Sequence, residues 1–149
     1  MSDTDPSFIA SLFHSTLFAY QKTVRETLGR ADIEMLNVIV ELTGALNLEE
    51  SSMREKSFTE VFNDISKNIH SLGLAELRLE KVDENHYRFH VENCVWAKKI
   101  HKKLDTHDVT CPYALVVMAL LQHFKGVKVF VANSEYLPES AITEIRAES

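Results

Sequence analysis

At 149 residues, 45% hydrophobic and 26% charged, with four glycines and three prolines, the chain has the size and composition of one folded domain rather than a linker or a low-complexity tail. The formal net charge of −6 offers no general attraction to phosphate backbones or anionic lipid, so nucleic acid is not an expected partner. Met1 to Pro6 lacks the basic start and apolar core of a secretory signal, and the longest apolar run, Tyr113 to Leu121, is far shorter than the ~20 residues that cross a bilayer. A cytoplasmic protein without a membrane span is expected, with Cys94 and Cys111 as reduced thiols.

Asp5-Pro6 has the form of an N-cap followed by proline at the first helical position. Phe8, Leu12, Ser15 and Ala19, with Ile9, Phe13, Leu17, Tyr20 and Val24 beside them, then give a first helix with a broad apolar face that should stop at Gly29. Phe8, Phe13 and Phe18 do not share one narrow stripe, and an arc this wide needs cover on two sides, which favours a homodimer paired through the first helices. Asp32 caps a second helix through Ile33, Leu36, Val40 and Leu46, and Glu49 to Lys56 reads as a polar connection. Ser57-Phe58-Thr59-Glu60 is a capping box opening a third helix through Val61, Phe62, Ile65, Ile69 and Leu72, ended by Gly73.

The period then changes to two. Leu77 and Leu79 alternate with Glu76, Arg78 and Glu80, and beyond Asp83-Glu84-Asn85 the residues Tyr87, Phe89 and Val91 alternate with Arg88 and His90, which predicts a β-hairpin with one wet face. A short helix from Val95 to Leu104 follows, whose basic residues Lys98, Lys99, His101, Lys102 and Lys103 read as a solvated face. Pro112 to Phe124 predicts a deeply buried helix closed by Gly126. Val127 to Val131 and Ala141 to Ile145 are two last strands, with Asn133 to Ser140 as their connection. The expected fold is α+β, with N-terminal helices packed on a small antiparallel sheet of about four strands in the order ααα-ββ-αα-ββ.

No phosphate-cradling glycine loop, nucleophile elbow or HExxH pattern occurs, so hydrolysis and phosphoryl transfer are disfavoured. His86, Arg88 and His90 share a strand face where acid–base work is conceivable, but an exposed sheet face is the preferred explanation, and no residue is singled out as catalytic.

Gly73-Leu74-Ala75-Glu76-Leu77 before the first strand, Val91-Glu92-Asn93-Cys94 at the end of the second, Cys111-Pro112 opening the buried helix and Gly126-Val127-Lys128-Val129 entering the third strand carry a resemblance. From Phe58 to Ile145 the chain resembles the vinyl-4-reductase domain family, whose fold is shared with small subunits of the TRAPP vesicle-tethering complex. The resemblance implies a sensor domain for small or hydrophobic ligands, usually a homodimer, and in some members a zinc ion held by cysteine and carboxylate ligands. Cys111 sits where those members place a cysteine, but their later ligands fall in Asn133 to Tyr136 and Ala141 to Thr143, where this chain has no cysteine.

The substitutes are Cys94, His101, His107 and Cys111, two thiols and two imidazoles that suit tetrahedral zinc, although in one continuous helix Cys94 and His101 would stand ~10 Å apart along the axis. Cys111 at a helix N-terminus would have its thiolate stabilised by free backbone N–H groups. The competing reading makes both cysteines small buried hydrophobes. Trp96 and Tyr113 could line an apolar pocket beside the thiols or simply pack in the core. Two functions follow. One is a small-molecule- or metal-binding sensor-like domain around Cys94, Trp96, Cys111 and His107. The other is an adaptor for protein contacts, like the TRAPP subunits, with silent cysteines; reduction of a small organic substrate, by analogy with the family name, ranks third.

Overall fold

The hairpin is where local sequence and tertiary packing agree most closely, and the rest of the molecule is arranged about it. In the computed structural model, which describes residues 6–28, 55–103 and 110–149, β1 (Glu76–Asp83) pairs antiparallel with β2 (His86–Glu92). The reversal is tightened by Asn85, whose backbone N–H donates to the Asp83 carboxylate at 2.9 Å. β3 (Val129–Tyr136) and β4 (Ala141–Ala147) complete a four-stranded antiparallel sheet in the order β1-β2-β4-β3. Register sends Leu79, Phe89 and Thr143 to one face and Glu80, Arg88 and Glu144 to the other.

Four helices are described: α1 (Pro6–Leu28), α2 (Phe58–Ser71), α3 (Ala97–Ile100) and α4 (Pro112–Lys125), and a 3₁₀ turn at His101–Lys103 follows α3. The architecture is therefore α+β, helices first, with the sheet drawn from the second half. The predicted helix through Ile33 to Leu46 lies outside the described residues, as does His107.

Each boundary has a local cause. Ser57 and Glu60 form the reciprocal capping box at the start of α2, and Gly73 turns the chain away at φ 67°. α4 opens on Pro112 and closes on Gly126 in the left-handed conformation, φ 68°. The core lies between α4 and the inner sheet face: Leu115, Val117, Met118 and Leu121 are buried, as are Phe89, Val91 and Ile145 on the strands, with Phe62 of α2 edge-on to Phe89.

Two expectations are corrected. The stretch expected to connect the last strands is mostly strand, because a bulge at Ala132 shifts the alternation by one residue. Val129 and Val131 face inward before it, and Ser134 and Tyr136 after it, which hides the period from a sequence reading. The helix predicted from Val95 to Leu104 is only one turn plus the 3₁₀ turn, and Cys94 precedes it, accepting a hydrogen bond at its carbonyl from Ala97 N–H at 3.1 Å.

Candidate functional site

His14, Phe18 and Gln21 stand at i, i+4 and i+7 on α1 and all three are buried. They form the inward side of the helix. Of the wide apolar arc, Phe8 and Leu12 are 57% and 56% exposed and Phe13 and Tyr20 70% and 66%, so this part of it faces outward. The site that receives α1 is polar at one end, where Gln21 clamps the backbone of Thr110, its amide donating to the Thr110 carbonyl and its oxygen accepting from the Thr110 N–H, both at 2.8 Å.

Thr110 leads directly into Cys111 and α4, so the clamp ties α1 to the start of the buried helix. Beneath α1 runs a row of rings. Trp96, just before α3, lies parallel to Tyr113 of α4 with centroids 4.9 Å apart, and His14 tilts against Trp96 at 4.6 Å. Phe18 meets His14 edge-on at 4.5 Å and Tyr136 of β3 at 6.3 Å. His101 packs on Tyr136 and donates from Nδ1 to the Leu137 carbonyl at 2.6 Å.

Water exclusion dominates the chemistry of this cluster. Burial, helped by the charge of nearby His101, lowers His14 from 6.5 to about 4, so its imidazole is neutral at physiological pH. The Cys94 thiol is raised by burial despite amide hydrogen bonds from Trp96 and Ala97. Cys111 is pushed up to about 12, again by burial first, which corrects the expectation of a thiolate favoured by the helix N-terminus. Desolvation outweighs the amides of Ala114 and Tyr113, and the dipole cannot rescue a charge that water never reaches. Tyr113 and Tyr136 are likewise held protonated by burial.

Of the residues singled out from sequence, Cys94, Trp96, His101, Cys111 and Tyr113 all join this region, whereas His107 lies outside the described residues. Among the described residues no group of three or more His, Cys, Asp or Glu side chains is arranged to hold a metal ion. Sequence reasoning missed His14 and Gln21, whose spacing with Phe18 was the available signal. Three polar atoms here, His14 Nε2, Trp96 Nε1 and Tyr113 Oη, are buried without a hydrogen-bond partner among the described residues.

On the outer sheet face, Glu144 accepts from Arg88 Nε at 2.6 Å and contacts His86 Nε2, while His90 Nε2 lies 3.6 Å from Glu80. Burial acts to raise the Glu144 carboxyl, but hydrogen bonds from Arg88 and His86 prevail and hold it below the usual carboxylate range. The strand histidines thus lie beside the Glu80, Arg88 and Glu144 side chains of the same face.

No family model matches the chain, and no curated protein matches it. One solved structure similar to it is a trafficking protein particle complex subunit 3 from Naegleria fowleri, covalently bound to palmitic acid. Identity is 12%, the TM-score 0.43, and the alignment covers 96% of this chain and 95% of that one. A likeness at that level assigns no residue. Among the described residues no helix is long and apolar enough to cross a membrane.

Proposed function

We propose that this chain is a protein-interaction module rather than an enzyme, and that it uses the outward face of α1 to pair with a second copy of itself. The observation that carries the reading is the inverted helix: α1 buries His14 and Gln21 and turns Phe8, Leu12, Phe13 and Tyr20 outward. Ordinary surface helices do the reverse. The polar groups along this face are already satisfied within the helix, since the hydroxyls of Thr16, Thr23 and Thr27 donate to the carbonyls of Leu12, Ala19 and Thr23 at 2.8–2.9 Å. Covering the face strands no hydroxyl.

Charge supports a second copy as the occupant. Between Pro6 and Gln21 there is no charged residue, in a molecule whose net charge of −6 opposes self-association elsewhere. Antiparallel pairing across this uncharged stretch sets the two helix dipoles in opposition, which favours it over parallel pairing. Light scattering on the full chain tests this. Wild type should run as a dimer at micromolar concentration and Phe13→Glu as a folded monomer, while a wild-type monomer at the highest soluble concentration would remove the second copy as partner.

A second reading keeps the two thiols, Trp96 and Tyr113 as a site for a small hydrophobic ligand, supported by the unpartnered indole N–H and phenol O–H. Its metal form, zinc on Cys94, Cys111, His101 and His107, requires two thiols that burial keeps protonated to ionise on metal binding. Mass spectrometry on untagged protein prepared without chelator decides it. Near-stoichiometric metal that disappears in Cys94→Ser/Cys111→Ser supports the metal site, whereas metal-free wild type of equal stability ends it.

A further inference from the structure

We propose that α1 is an acid-released helix: proton uptake at His14 undocks it from the seam over Trp96 while the sheet and α4 stay folded. The inference concerns a contact within one chain and stands whether or not α1 also meets a second copy.

The geometry separates α1 from the body. Among the described residues the principal apolar core joins α2, α4 and the sheet, whereas Phe18 packs in a second, smaller apolar cluster with Ile100 that meets the first at Tyr136. Among the described residues, α1 is held by the Gln21 clamp on Thr110 and the ring contacts of His14 and Phe18. A helix fastened this way can leave at little cost to the main core, because cooperative units follow contiguous apolar packing. The seam is also imperfectly satisfied. His14 Nε2, Trp96 Nε1 and Tyr113 Oη have no partner among the described residues while α1 is docked, and water would satisfy them once it lifts.

His14 is the point at which a proton acts. Around it stand Phe18 of α1 itself, Trp96 backed by Tyr113 of α4, and His101 of the 3₁₀ turn, with Cys94, Cys111 and Tyr136 the remaining titratable groups of the cluster. Tyr113, Tyr136 and both thiols are held neutral by burial, and His101 can add only positive charge. No carboxylate among the described residues interacts with His14. Cation–π attraction to Trp96 offsets part of the cost of an imidazolium but does not replace lost hydration.

The sign follows from which state takes the proton. Docked His14 sits at about 4 and a solvated histidine at 6.5, so the undocked form binds the proton more readily. Docking is at full strength well above pH 6.5, weakens as the pH falls through that value, and approaches a loss of roughly 300-fold only once the pH is below about 4. Gln21 carries no charge, so its clamp does not titrate and sets the strength from which docking declines.

Trp96, the single tryptophan, reports the event directly. Amide hydrogen exchange, corrected for intrinsic rates, and Trp96 emission are followed on the full chain from neutral to mildly acid pH. The expected result is loss of protection in α1 and a red-shifted Trp96, while Phe89 and Ile145 amides stay protected. His14→Phe, which keeps a ring against Trp96 but cannot titrate, should abolish the acid response. Gln21→Ala, which weakens the clamp, should move it to higher pH, and this second variant retains the test if the first folds poorly. The proposal is overturned if α1 and sheet amides lose protection together, if His14→Phe releases α1 at the wild-type pH, or if α1 remains protected throughout.

Discussion

Cys111 illustrates how a residue's position along the chain and its surroundings can argue in opposite directions. As the N-cap of α4 it faces unpaired N–H groups that favour a thiolate, yet full burial pushes it up to about 12. Cys94 is raised for the same reason. Both thiols should therefore resist a polar alkylating reagent at neutral pH in the native protein and react promptly in denaturant, with a contrast for Cys111 of at least ~100-fold in rate if thiolate fraction alone governs reactivity. Rapid native labelling of Cys111, read by peptide mass spectrometry, would instead mean that the N-terminus of α4 opens readily to solvent. His14 behaves in the matching way: burial disfavours its charged form, and that form is the imidazolium.

At the scale of elements, the local rules held where the chain decides its own conformation. The Ser57–Glu60 capping box starts α2 where the sequence places it, and Pro112 and Gly126 bracket α4. The alternation of β1 and β2 was legible because only one face of the hairpin is covered by core. β3 was not, because a single unpaired residue at Ala132 reverses the period, and whether a strand bulges depends on its partner β4. Across the sheet, Glu144 links β4 to β2 through Arg88 and His86. With its carboxyl held below the usual range, this bridge stabilises the fold above the ordinary carboxylate pKa and is lost as pH falls through the depressed one. Denaturation measured against pH should show a shallower acid limb for Glu144→Gln than for wild type; an unchanged limb would mean that the pair is fully screened by solvent.

For the molecule as a whole, the two acid-sensitive contacts lie in different cooperative parts. Histidine protonation at the α1 seam begins below 6.5, whereas the Glu144 bridge fails only below the ordinary carboxylate range, so acid should loosen α1 before it weakens the sheet. The outward apolar face of α1 belongs to this scale too, since an uncharged surface on an acidic protein gains meaning only against the charge of the remainder. If dimers form through that face, they dock helices that are themselves only lightly fastened.

By itself the sequence determined the order of helices and strands, the capping of α2 and α4, the depth of α4 and the pairing of the hairpin, because these rest on periodicity and on interactions within a few residues. It also brought Cys94, Trp96, Cys111 and Tyr113 together as one region. Only the tertiary structure decided which way α1 faces and what the buried groups do. Composition marks a helix as apolar over a wide arc, but the clamp at Thr110 and the rings of Trp96 and Tyr136 select His14, Phe18 and Gln21 for the inside. The proton affinities of His14 and Cys111 likewise depend on solvent exclusion by residues far away in the chain, which no local pattern encodes.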